Sequence, residues 1–403
     1  LGNKEITVSL KKTKLPNSDV IVYLIANYEY FTSHSEVYPK SEFAAFEQER
    51  FLLFSKAAME YMQFLDFQPD ILHCNDWHTA SMLVFLKTHY KDVDFYKNIS
   101  TVFTIHNLAY QGLYSPDILN FVYLNNYNLF NTDNLEYYGD VNWLKGGIVY
   151  ADQVNTVSEK YAQEIQTPEY GQGLDGLLRE KSYKLSGIIN GLDYSEWNPE
   201  KDKVIPENYS ANNLQGKAEC KKVLQKHFDL SSKDVPLIGI ISRLVDQKGL
   251  DLVAEIADEL KNLDIQMIVL GTGQKEYEDL FLNLSQTSEN IRAKIGFDPI
   301  MASRIYAGCD MFLMPSKFEP CGLGQLIALK YGTIPVVRST GGLADSIVDY
   351  DDKTRPANGF VFDKYDSKSL LEAIKRSIEV FNKKQEWNSL VNNAMNYNYS
   401  WER

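Results

Sequence analysis

The chain has 403 residues, of which 44% are hydrophobic and 24% are charged, a composition typical of a globular protein with a full core. Its net charge of −13 is spread over both halves without a basic stripe, which argues against a nucleic-acid partner. It contains no apolar run of about 18 residues that would span a membrane, and its four cysteines form no Cys-x-x-Cys pair, so free thiols in a reducing cytoplasm are expected.

The first half of the chain alternates apolar runs of strand length with helical patterns. Strands are predicted at residues 20–26 (buried), 70–75 and 99–105, and a long helix is predicted at 41–65. Strands that alternate with helices are typical of a parallel, doubly wound sheet. Residues 107–142 are irregular and rich in Tyr and Asn, and a region of this length usually carries function or covers a cleft.

The segment 191–215 differs in character, with prolines, several asparagines and alternating charges, and we interpret it as a linker between domains. After it the alternation of strands and helices begins again. Further strands are predicted at residues 236–242, 265–270, 310–314, 333–338 and 359–362. The predicted fold class is therefore α/β, with two tandem Rossmann-like domains, 1–200 and 201–403, and a cleft between them.

Four loops of the second half follow predicted strands, and they are therefore expected at the sheet edge where open α/β sheets bind ligands. They are residues 243–248, 271–273, 316–322 and 339–342. Arg243 and Lys248 suit a phosphate, since Arg binds it through two N–H groups and Lys supplies a compact charge. The glycines after Thr340 let backbone amides approach a phosphate closely. Together these loops predict a diphosphate site.

Two common nucleotide-binding motifs do not occur in the sequence. Gly271-Thr272-Gly273 is not continued as G-x-G-x-x-G, because Glu276 stands at the third glycine position, so a nicotinamide site is poorly supported. The G-x-x-x-x-G-K-[ST] pattern of P-loop nucleotidases does not occur either.

The loop 316–322 carries a carboxylate, Glu319, at the expected ligand edge. A phosphate would repel this side chain, so its expected partners are neutral hydroxyls such as those of a sugar. The alternative is a solvated glutamate whose charge favours the start of the following helix. The residues alone leave both interpretations open.

Several other residues are of types that often occur in metal-binding or sugar-binding sites. The sequence HCNDWH at residues 73–78 resembles a metal site, but alternation along a strand places its side chains on opposite faces, so no metal is predicted. His106 ends a strand and either donates to a sugar hydroxyl or caps a turn. Asp349 and Asp351 are interpreted as solvated charge in an acidic loop. Four aromatic residues are expected to lie mostly in the core: Tyr127, Tyr137, Tyr138 and Trp143.

Longer motifs point to a family. The chain contains, in order, HCNDWHTA, FTIHNLAYQG, GLDGLLR, IINGLDYSEWNP, ISRLVDQKGLD and PSKFEPCGLGQLIALKYGTIPVVRSTGGLADSI. In these motifs it resembles bacterial glycogen synthases and plant-type starch synthases, family five of the glycosyltransferases. The match is colinear and covers essentially the whole chain.

The resemblance implies a GT-B fold and a retaining transfer of glucose from ADP-glucose, less often UDP-glucose, to the non-reducing end of an α-1,4-glucan, without a metal or other cofactor. It implies catalytic roles for Glu319, His106, Arg243 and Lys248. The residues expected to contact the donor are Arg243, Lys248, Gly271, Gly273, Glu319, Cys321, Gly322, Leu323, Thr340, Gly341 and Asn190. On the acceptor side the expected residues are Asp76 and Trp77.

Two of the departures from the family pattern concern the donor site. It lacks the Lys-x-Gly-Gly-Leu motif that contacts the donor phosphates in family members, and we expect that it begins after that point. Ile327 stands where related GT-B enzymes have the second glutamate of a Glu-x7-Glu pattern, so ribose contacts are expected elsewhere. The missing lysine keeps a second hypothesis open, a non-catalytic glucan-binding or regulatory homologue.

The resemblance also bears on partners and location. The expected partners are a nucleotide-sugar donor and a glucan acceptor, with no nucleic acid and no membrane, and a homo-oligomer is compatible with the sequence. The expected location is the cytoplasm, or the plastid stroma in a plant or alga.

Overall fold

The computed structural model describes residues 1–33 and 44–402, which form two compact units. The first unit comprises Leu1–Thr156 and Ala162–Gly187, and the second comprises Val157–Tyr161 and Ile188–Arg403. In the part of the chain that the structure describes, no helix has the length and apolar character needed to cross a membrane.

The elements of the first unit follow the alternation predicted from the sequence. Its strands are β1 (Ser9–Lys14), β2 (Ile21–Ala26), β3 (Ile71–Asn75), β4 (Ser100–Ile105), β5 (Leu113–Tyr114), β6 (Glu136–Tyr137), β7 (Asp140–Asn142), β8 (Gln153–Thr156) and β9 (Leu185–Gly187). Its helices are α1 (Ala44–Phe64), α2 (Asp76–Lys87), α3 (Ile118–Phe121), α4 (Trp143–Tyr150), α5 (Glu159–Glu164, which begins among residues of the second unit) and α6 (Asp175–Glu180).

The main sheet of the first unit is parallel, with the strand order β3-β4-β8-β9. The strands predicted at 70–75 and 99–105 are confirmed as β3 and β4. The helix predicted at 41–65 is observed as α1, and its first predicted residues, 41–43, lie outside the described residues. The strand predicted at 20–26 is confirmed as β2, but its predicted burial is wrong, because β2 pairs antiparallel with β1 in a separate two-stranded sheet and is largely exposed.

The second unit repeats the alternation on a larger scale. Its strands are β10 (Leu237–Leu244), β11 (Gln266–Gly273), β12 (Ile291–Ile295), β13 (Met311–Met314), β14 (Ile334–Arg338) and β15 (Phe360–Phe362). Its helices are α7 (Gln215–His227), α8 (Leu250–Glu255), α9 (Ala257–Asn262), α10 (Lys275–Thr287), α11 (Pro299–Gly308), α12 (Gly324–Lys330), α13 (Gly341–Ser346), α14 (Ser367–Phe381) and α15 (Lys384–Asn396). Strand β12 was not predicted from the sequence.

The topology of the second sheet explains why its loops converge. All its strands are parallel, in the order β12-β11-β10-β13-β14-β15. The inner strands β10, β13 and β14 are mostly buried, as expected for a parallel sheet covered on both faces. The chain order reverses between β10 and β13, and such a switch point opens a ligand crevice at the carboxyl ends of the strands.

The segment predicted as a linker, 191–215, is part of the second unit. Leu192, Ile205 and Tyr209 are buried in its core. The Tyr209 hydroxyl donates to the carbonyl oxygen of Tyr331 at 2.8 Å. The prolines and asparagines shape turns here, whereas the interspersed apolar side chains anchor the segment, so the linker interpretation is wrong and the predicted boundary at residue 200 lies inside this unit.

Candidate active site

A cavity of about 210 Å³ lies in the second unit at the carboxyl ends of β10 and β13. Several predicted donor-site residues line it: Arg243, Lys248, Glu319, Gly322 and Leu323. Ser242 and Ser316 line it as well and were not predicted. The loops after two neighbouring strands therefore meet at the switch point, as the topology requires.

Lys248 and Glu319 form a buried ion pair in this cavity. Lys248 Nζ lies 2.7 Å from Glu319 Oε2, and the two side chains are 17% and 7% exposed. The hydroxyl of Ser316 donates to the same carboxylate oxygen at 3.0 Å. Because charges removed from water need close partners and further hydrogen bonds, these contacts hold the two side chains in a fixed relation. The interpretation of Glu319 as a solvated loop residue is wrong.

Close packing of two loops positions this pair. Lys248 ends a 3₁₀ turn, and Gly249 follows with a φ of 67°. A Cβ at Gly249 would lie 2.0 Å from the carbonyl oxygen of Pro315, so only glycine lets the loops approach this closely. The backbone amide of Lys317 donates to the carbonyl oxygen of Gln247 at 2.9 Å. The loop that carries Lys248 and the loop that carries the carboxylate are thus joined through their backbones.

A third loop, which precedes α13, packs against the backbone of Glu319. The Gly342 amide donates to the carbonyl oxygens of Glu319 at 3.1 Å and Pro320 at 3.2 Å. A Cβ at Gly341 would lie 2.0 Å from the Glu319 carbonyl oxygen. Thr340 is buried at the N-cap of α13. The Gly342 amide and the Thr340 amide, which donates to the carbonyl oxygen of Arg338 at 3.0 Å, are thus engaged within the protein, and a phosphate contact by Thr340 or Gly341 stays a prediction.

The turn Cys321-Gly322-Leu323 connects this loop region to α12. Gly322 has a φ of 71°, which favours glycine. The side-chain amide of Gln325 donates to the carbonyl oxygens of Cys321 at 3.0 Å and Gly322 at 2.9 Å. Burial raises the pKa of the Cys321 thiol to about 11, while hydrogen bonds with Asn190 act in the opposite direction. Asn190, predicted to lie near the donor, therefore contacts this turn.

The prediction of a glycine loop after β11 is wrong. Gly271 and Gly273 are the last ladder residues of β11, opposite Ser242 and Leu244 of β10. A Cβ at Gly271 would lie 2.0 Å from the carbonyl oxygen of Ser242, and one at Gly273 would lie 2.2 Å from that of Leu244. The glycines therefore allow the two strands to stay paired as far as Arg243, which is exposed near the carboxyl end of β10. Gly271 and Gly273 are not among the residues that line the cavity.

His106 and Asp76 lie together in the first unit, at the carboxyl ends of β4 and β3. The His106 backbone amide donates to Asp76 Oδ1 at 2.8 Å, and the ring Nε2 lies 2.9 Å from Asn75 Oδ1. Burial raises the pKa of the Asp76 carboxyl, and the hydrogen bonds and charge of His106 oppose that shift. The His106 side chain is exposed, so a hydroxyl of a ligand has access to it.

Trp77 is only 7% exposed, although it was predicted to line the acceptor side. Its ring stacks on His78 with centroids 4.1 Å apart and meets Phe51 edge-on at 5.0 Å. A Cβ at Gly112 would lie 2.5 Å from the indole. The main contacts of Trp77 are therefore internal, and its predicted place on the acceptor side stays a prediction.

Other interpretations from the sequence concern side chains outside the cavity. Among the residues that the structure describes, no group of three or more His, Cys, Asp or Glu side chains is placed to hold a metal ion. Arg376 binds the carboxylates of Asp349 and Asp351; the interpretation as solvated charge is wrong for Asp349, which is 22% exposed, and holds for Asp351, which is 62% exposed. The core prediction holds for Trp143 and is wrong for the exposed residues Tyr127 and Tyr138.

Among the residues that the sequence analysis missed, Ser316, Gln325 and Arg338 make hydrogen bonds with the loops of the site. Arg338 ends β14, and a charged residue at the carboxyl end of an apolar strand was the available signal. Ser316 and Gln325 gave no signal, because polar residues are common in loops and in the first turn of a helix.

The chain matches family models over both halves. The model described as "Starch synthase catalytic domain" matches residues 2–180, and the model described as "Glycosyl transferases group 1" matches residues 224–394. The first matched region falls in the first unit apart from Val157–Tyr161, and the second matched region falls in the second unit.

Relatives of known name are similar along nearly the whole chain. The chain is 50% identical over 386 residues to the glycogen synthase of Desulforudis audaxviator, covering 95% of this chain and 76% of the relative. It is 49% identical over 395 residues to the glycogen synthase of Thermosipho africanus, covering 97% and 80%.

A solved structure is similar as well, the catalytic domain of starch synthase IV from Arabidopsis thaliana bound to ADP and acarbose. The TM-score is 0.89 at 34% identity, and the match covers 98% of this chain and 82% of that chain. This similarity confirms the predicted α/β fold class with parallel sheets in two domains.

Proposed function

Because the chain belongs to the glycogen and starch synthases, family five of the glycosyltransferases, we propose that it transfers glucose from ADP-glucose to the non-reducing end of an α-1,4-glucan with retention of configuration. Membership makes it a glycosyltransferase with the GT-B fold and a glycogen or starch synthase. Three details go beyond family membership and are proposed: ADP as the nucleotide, the non-reducing end as the site of attachment, and retention of configuration. The Arabidopsis relative, whose structure holds ADP and acarbose, supports ADP as the nucleotide.

The observation that carries this proposal is the buried Lys248–Glu319 pair in the same cavity as Arg243. The two cations suit a diphosphate, and the carboxylate suits the hydroxyls of a sugar. A sugar nucleotide presents these two chemistries on either side of the bond that breaks. The cavity therefore offers complementary groups for both halves of the donor.

The proposed transfer breaks the bond between C1 of glucose and the β-phosphate oxygen. The electron pair of that bond leaves with the diphosphate, and the 4-hydroxyl of the acceptor attacks C1 from the same face. The departing phosphate accepts the proton of that hydroxyl, so the products are ADP and a glucan longer by one glucose. Arg243 and Lys248 stabilise the charge that grows on the phosphate, an interaction that is stronger in the transition state than in the ground state.

Glu319 is assigned to binding a glucose hydroxyl rather than to forming a covalent intermediate. Its Oε2 already accepts hydrogen bonds from Lys248 and Ser316, which lower the nucleophilicity of that oxygen. The same contacts hold the carboxylate in one orientation, which is what binding a particular hydroxyl requires. In this proposal the protein cations supply the positive charge, so the transfer needs no metal ion.

A homologue that only binds glucan is the alternative. Such a protein has no use for a cation and a carboxylate buried side by side at a strand switch point. Removing two charges from water is unfavourable, and replacing such a pair by apolar residues is often neutral or stabilising. The presence of the Lys248–Glu319 pair in this cavity therefore favours catalysis over binding alone.

The test is incorporation of glucose into glycogen from labelled ADP-glucose and UDP-glucose, side by side, together with release of nucleoside diphosphate. The variants are Glu319→Gln and, as a matched surface control, Lys261→Ala, whose side chain pairs with Asp258 on α9. The proposal predicts incorporation from ADP-glucose that falls with Glu319→Gln and is unchanged with Lys261→Ala. Incorporation from UDP-glucose alone would correct the nucleotide. No incorporation from either donor, with glucan still bound, would support the binding-only alternative.

A further inference from the structure

Arg338 lies at the last position of β14 and is buried. Its Nε donates to the carbonyl oxygen of Ser316 at 2.8 Å, and its Nη2 donates to the carbonyl oxygen of Lys317. A third donation, from Nη1 to the carbonyl oxygen of Asp363, is longer at 3.4 Å. The guanidinium also lies over the ring of Tyr365, 5.5 Å from its centroid. A planar guanidinium offers two donors in a fixed fork, which suits two successive carbonyl oxygens.

Ser316 links this guanidinium to the active-site carboxylate. Its carbonyl oxygen accepts from Arg338, and its hydroxyl donates to Glu319 Oε2 at 3.0 Å. The same Oε2 lies 2.7 Å from Lys248 Nζ. A continuous series of contacts therefore runs from Arg338 through Ser316 and Glu319 to Lys248. Arg338 itself is not among the residues that line the cavity.

We propose that Arg338 is a positioning residue for glucosyl transfer, which fixes the Ser316–Lys317 backbone and thereby the carboxylate of Glu319 beside Lys248. The inference rests on the proposed function, because its effect is read from the transfer reaction. Its physical basis is that a displacement of about 1 Å in a positioning group can lower a rate by about 100-fold without removing any group that touches substrate. Lysine at position 338 keeps the charge but loses the planar fork, whose fixed donor directions hold the carbonyl oxygens of Ser316 and Lys317 in place.

Arg376 provides a matched control in the same unit. It binds Asp349 Oδ2 at 3.0 Å and the carbonyl oxygen of Val361 at 2.9 Å, so it too is a partly buried arginine that holds a backbone carbonyl beside the sheet. Its recorded contacts are with the turn after α13 and with β15, away from residues 316–319. Arg376→Lys is therefore expected to affect stability alone.

The experiment compares kcat and the donor KM of the wild type, Arg338→Lys and Arg376→Lys at a temperature where circular dichroism shows all three folded. Arg338→Lys is expected to lower kcat by about 10- to 100-fold, with the donor KM changed by less than about threefold. Arg376→Lys is expected to leave kcat within about twofold of the wild type. Equal losses in both variants would show a general structural effect and overturn the proposal.

A second comparison tests whether Arg338 acts through Glu319. In the Glu319→Gln background, Arg338→Lys is expected to lower the residual kcat by less than about twofold, because its target is already altered. A full additional loss in that background would overturn the proposal.

Ser316→Ala keeps the proposal testable if Arg338→Lys does not fold. It removes only the hydroxyl contact with Glu319 and is expected to lower kcat by about 5- to 20-fold; an unchanged kcat in Ser316→Ala would overturn the proposed series of contacts. If the wild type transfers glucose and Arg338→Lys does so equally well, only this inference fails. If the wild type transfers none, the proposed function fails and the inference fails with it.

Discussion

Lys248 Nζ and Glu319 Oε2 lie 2.7 Å apart, within the cavity that we assign to the donor sugar nucleotide. Lys248 supplies a positive charge that suits the diphosphate, and Glu319 supplies a carboxylate that accepts hydrogen bonds from the hydroxyls of the sugar. Because each side chain orients the other, binding of the two halves of the donor is coupled through this contact. The first two predictions concern this pair.

Replacing Lys248 with methionine keeps the length of the stem and removes the charge. We expect kcat with ADP-glucose and glycogen to fall by about 30- to 900-fold, because losing a charge-assisted contact to the leaving phosphate raises the barrier by about 2–4 kcal/mol. Steady-state kinetics at saturating donor measure the change. A loss of less than about fivefold would remove Lys248 from the phosphate role.

The stability of the pair gives a second prediction. Lys248→Met leaves the Glu319 carboxylate buried without its cation, which is expected to destabilise the fold by about 3–5 kcal/mol. The double variant Lys248→Met, Glu319→Gln has no uncompensated charge, so its midpoint of thermal unfolding is expected to lie above that of Lys248→Met alone. If the changes in the free energy of unfolding caused by the two single substitutions add up to that of the double variant within about 0.5 kcal/mol, the two side chains do not interact.

The turn at Gly322 gives a third prediction. Gly322 has a φ of 71°, and a Cβ there would lie 2.5 Å from Gln325 Oε1 and 3.1 Å from Glu319 Cγ. Gly139 also has a positive φ, of 94°, but no atom lies within 4 Å of its Cβ position. Both Gly→Ala variants therefore share a backbone strain of about 1–3 kcal/mol, and only Gly322→Ala also displaces side chains of the site.

We expect Gly322→Ala to lose at least about tenfold in kcat and Gly139→Ala to keep its activity, when both are assayed below their unfolding temperatures. Equal activities in the two variants would mean that the turn does not set the geometry of the site.

The pH dependence of stability gives a fourth prediction, at His78. Burial lowers the pKa of this ring from 6.5 to about 4. Between these values the unfolded chain binds a proton at His78 and the folded chain does not, so the unfolded state is favoured as the pH falls. The His78 contribution to the free energy of unfolding is thus fully present above about pH 6.5 and is lost towards pH 4, by up to about 3 kcal/mol.

Thermal unfolding midpoints measured from pH 7 to pH 4.5 check this prediction in the wild type and in His78→Gln. The neutral glutamine removes the titration, so the midpoint of the variant is expected to fall less over this range. Parallel curves for the two proteins would contradict the assignment. The raised pKa of Asp76 affects both proteins and cancels in the comparison.

The inner strands of the second sheet could be predicted from the sequence, since β10, β13 and β14 are short apolar runs that end at polar loops. The end of β11 could not, because Gly271 and Gly273 normally indicate a break. Here they permit a close approach to the carbonyl oxygens of β10, which no local pattern encodes. Strand β12 was missed because only continuous apolar runs were interpreted as strands in this half, whereas its sequence, IRAKI, alternates apolar and charged residues as is typical of an edge strand.

The candidate site, like the fold, could be predicted only where a local sequence pattern indicates it. Arg243, Lys248 and Glu319 were found by their position after strands, which depends on topology alone. The ion pair between Lys248 and Glu319 could not be predicted, because the two residues are 71 positions apart in the chain and their contact depends on how two loops pack. The position of Arg338 at the end of β14 was a signal for the site, but its role could not be predicted, because it binds backbone carbonyl oxygens, which carry no sequence signature.

The proposed function is tested most directly by following a single reaction of ADP-glucose with glycogen by proton NMR, in the wild type and in the Lys248→Met, Glu319→Gln double variant. We expect one ADP released for each new α-1,4 linkage formed by the wild type, and loss of both signals in the double variant. New linkages formed at the full rate by the double variant, or ADP released by the wild type without chain growth, would overturn the proposed function.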